Sequence, residues 1–426
     1  MIKLIKLIFG FLILCLLFFI LFLNAKLYYK PSFSDVSPYI NTDVVKQLHY
    51  LKSSLHNGAA SKMQQVYPEG FVFTQAVYGL SWIELAAELD HNSQLYKEAH
   101  QEISYALNEI QSPQGRNRFD QTLPIPFGAY YAGWDNYLLG KKLSIEGPSE
   151  RNVEEIEQFK NTCKQIDSVL QTTVYPESYK GYSWAADVFV AVASLKLHDQ
   201  LFDPLFKQHI QSWLNKVKSS TDKNGFIPYA STTDGKPLEI ARGSSESLIL
   251  NFLIDIDTAF AKQQFALYKE KFLDHRFGLS GIREFPSGNE NTGDVDSGPV
   301  ILDMGSAATI VGMRILALYH DSTNAVAIRN GIEAFGLAYS NAEEKKYLLG
   351  QWTMADVFIT WGHTTEITKQ QALNASTNWR LSFQLYSLLF IAILILLLRL
   401  LFRKNAAQRT KRTSERRNED AINTSA

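Results

Sequence analysis

Two long apolar runs, one near each end of the chain, constrain the fold of this 426-residue sequence more than any other feature. Residues 7–23 carry no charged side chain, and residues 381–398 form a second uncharged run. A helix that spans a bilayer needs about 20 mostly apolar residues, and each run reaches this length with its flanks. The sequence therefore predicts four parts: an N-terminal anchor in 1–26, a middle domain in 27–378, a spanning helix in 379–402 and a basic tail in 403–426.

The distribution of basic residues predicts how the chain is oriented. Basic residues next to spanning segments stay in the cytoplasm; Lys3 and Lys6 precede the first run, and a larger cluster follows the second run. Lys26 and Lys30 oppose this orientation with less charge. We therefore expect both termini in the cytoplasm and the middle domain on the exported face, periplasmic or extracellular, of a plasma membrane. A cleaved signal peptide is the alternative for the first run, but the run is long and no clear small-residue cleavage site follows it.

Cysteine content and net charge narrow the class of protein further. Cys15 lies in the first apolar run and only Cys163 lies in the middle domain, so that domain forms no internal disulfide. Exported eukaryotic domains commonly carry disulfides, which favours the inner membrane of a bacterium. The net charge of −1 predicts no partner bound by bulk charge. The basic tail is short and has no interleaved aromatic residues, which argues against nucleic-acid binding.

The middle domain has the periodicity of helices and an internal repeat. Apolar residues recur at three- and four-residue spacing in 83–95, 184–197, 248–260 and 308–319, which is typical of buried helices. A segment rich in Gly or aromatic residues leads into an apolar helix about every 60 residues, and such a fixed spacing indicates a repeated structural unit. These segments lie near Tyr67, Pro124, Tyr182, Gly243 and Gly298, with a sixth candidate near Tyr347.

Each repeat has room for two helices, so the sequence predicts five or six successive helical hairpins. One arrangement is an open solenoid, in which each unit contacts only its neighbours. The other is a closed toroid, with one helix of each hairpin inside, which would gather the Gly- and aromatic-rich segments around one mouth. Solenoid repeats are usually shorter and closer to a consensus, so we favour the toroid. We therefore expect an all-α fold, an (α/α)6 toroid of helix hairpins between two transmembrane helices.

Two groups of toroid enzymes resemble parts of this sequence. The run Asn224-Gly225-Phe226-Ile227-Pro228-Tyr229, which follows two predicted helices, resembles the six-hairpin glycosidase toroids. Residues 175 to about 318 are similar in pattern to the toroid of linalool dehydratase-isomerase. The features in similar order are the aromatic segment 182–184, the turn 234–237, the small polar helix start 244–246 and the acidic Gly loop 294–298. The linalool enzyme carries cysteines in its site, whereas the matching segment here has Ser183 and Trp184 and no thiol.

The strongest candidate site is the acidic loop Gly293-Asp294-Val295-Asp296-Ser297-Gly298-Pro299. In an extended stretch alternate side chains point the same way, so Asp294 and Asp296 are expected to face one cavity. Two carboxylates in proximity raise the pKa of one of them, which leaves an acid beside a base. A solvated turn is the structural alternative, since Asp and Gly are ordinary turn residues. A bound calcium ion is the third, although the spacing is not that of an EF-hand.

Carboxylates near aromatic residues supply the other candidates. Glu246 stands in the first turn of an apolar helix, as a general acid or base or as a charge that favours a helix N-terminus; Arg242 either pairs with it or binds a substrate carboxylate. Asp135 is a further catalytic candidate. Asp135 and Asp187 each closely follow a Tyr and a Trp. This pattern suits the binding of a sugar ring or an apolar terpenoid, and it suits a core aromatic cluster equally well. The predicted substrate-binding set is Tyr131, Trp134, Tyr182, Trp184, Asp187 and Arg242, with Glu69 and Arg283 (of Arg283-Glu284) as weaker members.

No cofactor or metal site is expected. The sequence has no phosphate-binding Gly loop with Lys, no His-Glu-x-x-His, no paired Cys and no Gly-x-Ser-x-Gly. Three functions stay open. The first is a membrane-anchored envelope enzyme that cleaves a saccharide or polysaccharide by carboxylate acid–base catalysis. The second is a lyase or isomerase of a terpenoid or lipid-like alcohol, as the linalool resemblance implies. The third is a non-catalytic binding or assembly module for envelope polymers, with its carboxylates neutralised by Arg242 and Arg283.

Overall fold

The computed structural model describes residues 2–289, 293–294 and 297–403, and side chains from residue 4 onward. Asp296 and the tail beyond residue 403, both part of the sequence predictions, lie outside the described residues. The described chain is mostly helical. Its α-helices are α1 (Ile2–Lys26), α2 (Thr42–His56), α3 (Ala59–Val66), α4 (Gly70–Ala86), α5 (Gln94–Gln111), α6 (Pro113–Arg116), α7 (Gly128–Ile145), α8 (Val153–Leu170), α9 (Ala185–Leu201), α10 (Lys207–Lys218), α11 (Gly243–Ile256), α12 (Thr258–Lys271), α13 (Ser306–Leu318), α14 (Ser322–Phe335), α15 (Thr353–His363) and α16 (Arg380–Phe402).

Short antiparallel strand pairs occupy loops between the helices. They are β1 (Ser183–Trp184) with β2 (Ala230–Ser231), β3 (Leu273–Arg276) with β4 (Leu279–Ile282), β5 (Val300–Ile301) with β6 (Met304–Gly305), and β7 (Tyr339–Ser340) with β8 (Lys345–Lys346). In the pair β1–β2, Ser183 lies opposite Ser231 and Trp184 opposite Ala230. The expectation of an all-α fold is therefore confirmed in its helical content, with these hairpins as additions to the loops.

The predicted helices agree with the structure in two places and are wrong at a boundary in two others. The periodic stretches 184–197 and 308–319 correspond to α9 and α13. The stretch 83–95 runs across the end of α4, because Ser93 accepts a hydrogen bond from the Tyr96 amide and begins α5. The stretch 248–260 is divided at Asp257, whose carboxylate caps α12 through two backbone amides. A side chain that satisfies the free amides of a helix start fixes the boundary there.

Six apolar helices form the centre of the domain, and we call α4, α7, α9, α11, α13 and α15 the core helices. Each packs against the next in chain order, and α15 packs against α4. The flanking helices α5, α8, α10, α12 and α14 pack against the core helices that precede them, and α2 packs against α15. Burial separates the two sets: α9 is buried nearly all round, whereas α10 buries one stripe at helical spacing, Ile210, Trp213, Leu214 and Val217.

Aromatic side chains fill the space between the core helices. The Phe73 ring of α4 lies 5.2 Å from Trp134 of α7 and 5.6 Å from Phe358 of α15, between ring centroids. Trp134 in turn lies 5.5 Å from Phe252 of α11, and Tyr137 lies 5.2 Å from the same ring. These edge-to-face contacts are the favoured geometry of aromatic pairs. They join four core helices through one cluster.

An ion pair and its hydrogen bonds link four core helices near their C-terminal ends. Both terminal nitrogens of Arg314 on α13 donate to Glu84 on α4, at 2.7 and 3.0 Å. The Arg314 Nε donates to Asn251 on α11 at 2.8 Å, and Nη1 also donates to the Trp361 carbonyl at 2.8 Å. The Arg314 side chain is 8 % exposed. A bidentate arginine–carboxylate pair fixes geometry as well as charge, so this network sets the spacing of the helix ends.

The loops that precede the core helices lie at the opposite end of these helices, and we call their described residues the rim loops: 57–69, 112–127, 171–184, 219–242, 272–305 (without 290–292 and 295–296) and 336–352. Backbone hydrogen bonds connect them to neighbouring helix starts. The Ala129 amide donates to the Glu177 carbonyl at 2.9 Å, and the Gly243 amide donates to the Glu284 carbonyl at 2.8 Å. The rim is therefore one continuous surface rather than a set of separate loops.

The two terminal helices are long and apolar enough to cross a membrane, by length and composition. They pack against each other, and the Asn24 side chain donates to Ser387 at 3.0 Å. Few of their residues are buried within the protein. At its C-terminal end α1 also packs against α14, where the Asn330 amide group donates to the Leu27 carbonyl at 2.8 Å. The terminal helices therefore meet the domain at α14.

We expect Glu84→Ala to destabilise the domain by about 3 kcal/mol, because it leaves the buried Arg314 guanidinium without its carboxylate. Urea unfolding of the full chain in detergent, followed by tryptophan fluorescence, measures the change. Glu88→Ala is the matched control: it lies one turn along and accepts a single exposed hydrogen bond from Gln371. Its effect should stay within about 0.5 kcal/mol. Equal effects of the two variants would contradict the importance of the Arg314 network.

Candidate functional site

Glu246 is the most unusual titratable residue near the rim. It lies in the first turn of α11 and is fully buried. Neither of its carboxylate oxygens has a hydrogen-bond partner among the described residues. Burial raises the pKa of Glu246 well above its ordinary value, and the charge of Asp222 raises it further. Its surroundings therefore favour the protonated form of the carboxyl.

A second buried carboxyl, Glu284, reaches the same helix start from the segment after β4. Its Oε1 accepts a hydrogen bond from Ser244 Oγ at 2.7 Å, while Oε2 has no partner among the described residues. Burial raises its pKa to about 7, against the smaller lowering effects of Ser244 and Arg242. Gly243 permits this approach, since a Cβ there would lie 2.0 Å from the Arg283 carbonyl oxygen. Glu284 is thus poised to take or give a proton near neutral pH.

Arg242 supplies the positive charge of the site. Its guanidinium stacks over the Tyr229 ring, with 3.8 Å between the guanidinium carbon and the ring centroid. It donates to Asp294 at 2.5 Å and to Glu239 at 2.8 Å. Only 10 % of the Arg242 side chain is exposed, whereas 47 % of the Asp294 side chain is. Asp294 therefore lies at the solvent edge and holds the arginine, while the guanidinium lies deeper.

Hydroxyl groups surround the two buried carboxyls. The hydroxyls of Ser247 and Tyr268 lie 2.7 Å apart and share a hydrogen bond. Burial raises the pKa of Tyr268, and the charges of Glu246 and Glu284 raise it too, so both carboxyls lie within electrostatic reach of this phenol. Burial and the charge of Glu246 likewise raise the pKa of Tyr175. The carboxyls and hydroxyls thus form one polar cluster beneath the rim, which we call the α11 cluster.

Aromatic rings extend from the α11 cluster to the surface. Tyr182 stacks on Trp184 with 5.6 Å between centroids and 10° between planes, and Tyr182 is largely exposed. Tyr179 contacts the same indole edge-on at 5.8 Å. Pairing of β1 with β2 sets Trp184 opposite Ala230, the residue after Tyr229. The backbone that carries the platform therefore pairs with the segment that carries Tyr229.

Several predicted site residues lie elsewhere. Asp135 accepts a hydrogen bond from Gln111 at 2.9 Å, and burial raises its pKa to about 6. Tyr131 donates to the Ile110 carbonyl and accepts from Arg116. Both therefore belong to the contact between α7 and the end of α5, and no described contact joins them to the α11 cluster.

Of the remaining predicted site residues, some lie near the platform and others lie elsewhere in the fold. Trp134 is part of the aromatic cluster between the core helices. Asp187 accepts from Ser178 Oγ at 2.6 Å beside the platform, and the Glu69 carbonyl accepts from Tyr130 at 3.1 Å. Arg283 donates to Asp274 at 3.0 Å and also pairs with Asp303, on the side of the strand away from Ser244. The structure therefore places Glu246, Arg242 and Asp294 at the start of α11, and it places Tyr182 and Trp184 at the strand pair β1–β2, whose second strand directly follows Tyr229.

The sequence indicated the pair Arg283-Glu284 as a weaker candidate and only Arg283 entered the predicted site, whereas Glu284 is the residue of the pair that reaches the α11 cluster. A usable signal was present, since alternate residues of a strand face the same side. Residues Ile282 and Glu284 share the side that packs on α11, where both are fully buried. Arg283 takes the other side and meets two carboxylates.

Among the described residues, no three His, Cys, Asp or Glu side chains come together as a metal site. A surface pocket between α8 and α10 is lined by Asp167, His209 and Trp213 among others, and it contains none of the predicted site residues. Comparison of the chain with protein-family models and with curated proteins finds no match. The chemistry of the α11 cluster therefore has to be argued from its own residues.

The raised pKa of Glu284 predicts a stability that falls as pH rises from about 4.5 to 7. In this range the folded carboxyl holds a proton that the unfolded chain has lost, so raising the pH favours unfolding, by up to about 3 kcal/mol. Glu284→Gln should flatten this profile in urea titrations. Asp135 and Glu246 shift in the same direction but are present in both proteins, so the difference reports Glu284. Glu270→Gln, at an exposed site, should keep the wild-type slope; a profile of Glu284→Gln as steep as the wild type's would contradict the assignment.

Proposed function

We propose that the six hairpins close into an (α/α)6 toroid with the rim loops around its mouth. The sequential packing of the core helices supports this, and above all the contact of α15 with α4, because a solenoid would leave its first and last units apart. The Arg314–Glu84 ion pair across α13 and α4 supports the same arrangement. The aromatic cluster then occupies the axis, and the mouth is shallow.

The chain is anchored in a plasma membrane by α1 and α16, with the domain on the exported face. The length and apolar composition of both helices support the anchoring. The basic residues before α1 and after α16 support the orientation. The bacterial inner membrane is the compartment that fits a domain with a single, fully buried thiol, Cys163.

The domain is an enzyme that acts on a saccharide or polysaccharide by carboxylate acid–base catalysis in the α11 cluster. The observation that carries this proposal is the pair of fully buried carboxyls, Glu246 and Glu284, both with raised pKa, at one helix start. Structural carboxylates are normally paired or exposed, and strongly raised pKa values concentrate at functional sites. The stacked rings of Tyr182 and Trp184 provide the flat apolar surface that a sugar ring requires.

Glu246 and Glu284 have different roles in the proposed reaction, one as the acid and the other as the base. Glu246, whose protonated form is favoured by burial, gives its proton to the oxygen of the bond that breaks. Glu284, with a pKa of about 7, takes a proton from the attacking water or hydroxyl. Arg242 orients a hydroxyl or carboxylate of the substrate, and Asp294 positions Arg242. The role predicted for Asp296 as a partner carboxylate stays a prediction.

A carbon–oxygen lyase or isomerase on a lipid-like alcohol is the second candidate. It is favoured by the surroundings of Glu246, which offer no hydrogen-bond partner among the described residues and so hold an uncharged acid. Such an acid protonates an alcohol without any sugar-binding machinery. The non-catalytic alternative requires Arg242 and Arg283 to neutralise the cluster. Arg242 does pair with Asp294, and also with Glu239, but Arg283 pairs with Asp274 and Asp303 outside the cluster. Among the described residues neither arginine forms an ion pair with Glu246 or Glu284, so the two buried carboxyls are not neutralised in this way.

Replacing either carboxyl with its amide should lower kcat by about 10²–10⁴-fold, the usual contribution of a positioned acid or base. We expect this of Glu246→Gln and Glu284→Gln, measured on the full chain in nanodiscs. The amides preserve shape, so the melting temperature should not fall. Glu270→Gln is the matched control and should retain full activity, since its carboxylate is exposed on α12. Full activity in both site variants would refute the acid–base assignment.

Ligand-induced stabilisation distinguishes the candidate functions before any substrate is known. A molecule that binds only the folded state raises the unfolding midpoint. We expect members of an oligosaccharide panel to raise the midpoint of the full chain, and Trp184→Ala to abolish the rise. A rise only with short terpenoid alcohols would favour the lyase. No rise in either panel, from a cooperatively folding protein, would favour the binding or assembly role.

A further inference from the structure

Exposed apolar side chains are concentrated at the rim. Outside α1, α16 and the adjacent Tyr28, the described residues include sixteen exposed large apolar side chains, and twelve of them lie in or next to the rim loops. The other four, Val36, Tyr39, Val153 and Leu205, lie towards the opposite end. We call the twelve the rim tips: Val66, Tyr182, Leu238, Phe277, Ile301, Leu302, Phe335, Leu337, Tyr339, Leu348, Leu349 and Trp352. Such a patch marks a surface that meets an apolar partner.

The backbone at the rim tips strengthens this interpretation. Phe277, Leu302, Leu337, Leu348 and Leu349 all have φ between 48° and 55°. Residues with a Cβ rarely adopt this left-handed conformation, and turns that need it normally use Gly, Asn or Asp. Each of these turns instead projects a large apolar side chain outward. Neither backbone preference nor burial within the domain explains those side chains.

The terminal helices show what lies beyond the rim. Along α16, Arg380 donates to the Leu27 carbonyl, which also accepts from Asn330 in the middle of α14. One turn further along α16, Phe383 contacts Phe335, the last residue of α14. Moving along α16 into its apolar segment therefore corresponds to moving along α14 towards the rim.

The next contacts continue the same register. A Cβ at Gly278 would lie 2.5 Å from the Ser382 side chain, and the Phe277 ring lies 6.1 Å from Tyr386, six residues into α16. The β3–β4 turn therefore reaches beyond Arg380 along the direction in which α16 would enter a bilayer. Arg276 ties the neighbouring turn to it, donating to the Leu302 carbonyl and to Asp303, both at 3.0 Å.

Aromatic residues also mark the level of the membrane surface. The Arg380 guanidinium lies 4.5 Å from the Trp379 ring and 4.7 Å from the Tyr28 ring, measured to the centroids. Trp and Tyr beside Arg are characteristic of the interface between headgroups and hydrocarbon. This girdle lies at the level of Asn330, and the rim tips at Phe277 and Phe335 lie on its apolar side.

We propose that the rim docks onto the exported leaflet of the bilayer, with the rim tips inserted among the headgroups and upper acyl chains. The occupant of this surface is lipid, because the tips continue the apolar surface of α16 at a contact that already exists. Interfacial segments bind in this way through apolar side chains at shallow depth. The mouth of the domain then faces the membrane, and the platform formed by Tyr182 and Trp184 lies at the lipid surface.

Spin labels at two apolar positions of equal exposure test the docking. Leu302 at the rim and Leu205 at the opposite end are both 55 % exposed. Each is replaced by Cys in the full chain carrying Cys15→Ala; the remaining Cys163 is buried, and burial raises its pKa to about 12, so it labels poorly. In nanodiscs holding one protein, relaxation by oxygen should dominate at position 302, and relaxation by a water-soluble nickel chelate at position 205.

Leu238→Cys repeats the measurement on a rim loop with no described contact to α16. Oxygen-dominated relaxation there shows that the whole rim docks. Water-like relaxation at both 302 and 238 overturns the proposal. In nanodiscs prepared to hold two copies, dipolar broadening between labels at 302 overturns it in favour of a second copy of the chain on this surface. Leu302→Asn serves as the folding control, because Asn tolerates the left-handed conformation: its melting temperature in detergent should not fall.

Combined with the proposed enzyme activity, on which this step rests, docking makes a glycan with a lipid anchor the substrate that reaches the mouth most directly. The same glycan is offered free and lipid-anchored in the discs, and the anchored form should turn over faster. Equal rates with an intact label result contradict the substrate class alone. No turnover of either form contradicts the proposed activity, while the label result still decides the docking.

Discussion

The contact between α15 and α4 is the constraint on which the rest of the domain depends. Each core helix is apolar nearly all round, so it needs a core neighbour on both sides and a flanking helix behind it. For α4 and α15, which are 267 residues or more apart in the chain, the missing neighbour is the other helix. Phe73 and Phe358 meet there, and Arg314 reaches Glu84 near the C-terminal end of α4. Loss of this contact would expose two apolar faces and would also release the register of the rim loops, which follow directly from the positions of the core helices.

Burial of carboxyls against the core helices has a chemical consequence. A charge removed from water without a partner is so unfavourable that the group holds its proton instead. Glu246 and Glu284 therefore remain acids at a pH where exposed glutamates are ionised, and Asp222 adds to the effect. Asp222 itself is satisfied by three backbone amides, those of Asn224, Phe226 and Ala241. Asp222 is fully hydrogen-bonded, whereas both oxygens of Glu246 and one oxygen of Glu284 have no partner among the described residues. This difference distinguishes a structural carboxylate from two carboxyls that are available for chemistry.

Periodicity predicted the helices well where tertiary context agreed with it, as in α9 and α13, and failed where one polar side chain redirected the backbone, as at Asp257 and Ser93. The repeat of Gly- and aromatic-rich segments predicted the rim, because each segment precedes a core helix. Among site residues, Arg242, Glu246 and Asp294 were found because they border α11 and its neighbouring loop. Asp135 and Trp134 were grouped by proximity in sequence, but adjacent helical residues face different directions. Asp135 meets α5, while Trp134 meets the central aromatic cluster. Whether Glu284 belongs to the site depended on which side of its strand faces α11, and strand pairing determines that side.

The two terminal helices pack together as a single unit, and that unit meets the domain at one edge. They pack against each other, share the Asn24–Ser387 hydrogen bond and meet the domain at α14 and the β3–β4 turn. An attachment at one edge fixes the height of that edge but leaves the domain free to tilt about it. Leu238 and Tyr182 lie on rim loops with no described contact to either terminal helix, so insertion of such distant tips would be needed to remove the tilt. Nine of the twelve rim tips lie in or next to loops 272–305 and 336–352, and only Val66, Tyr182 and Leu238 lie on other rim loops. These three tips are therefore the ones whose insertion would limit the tilt.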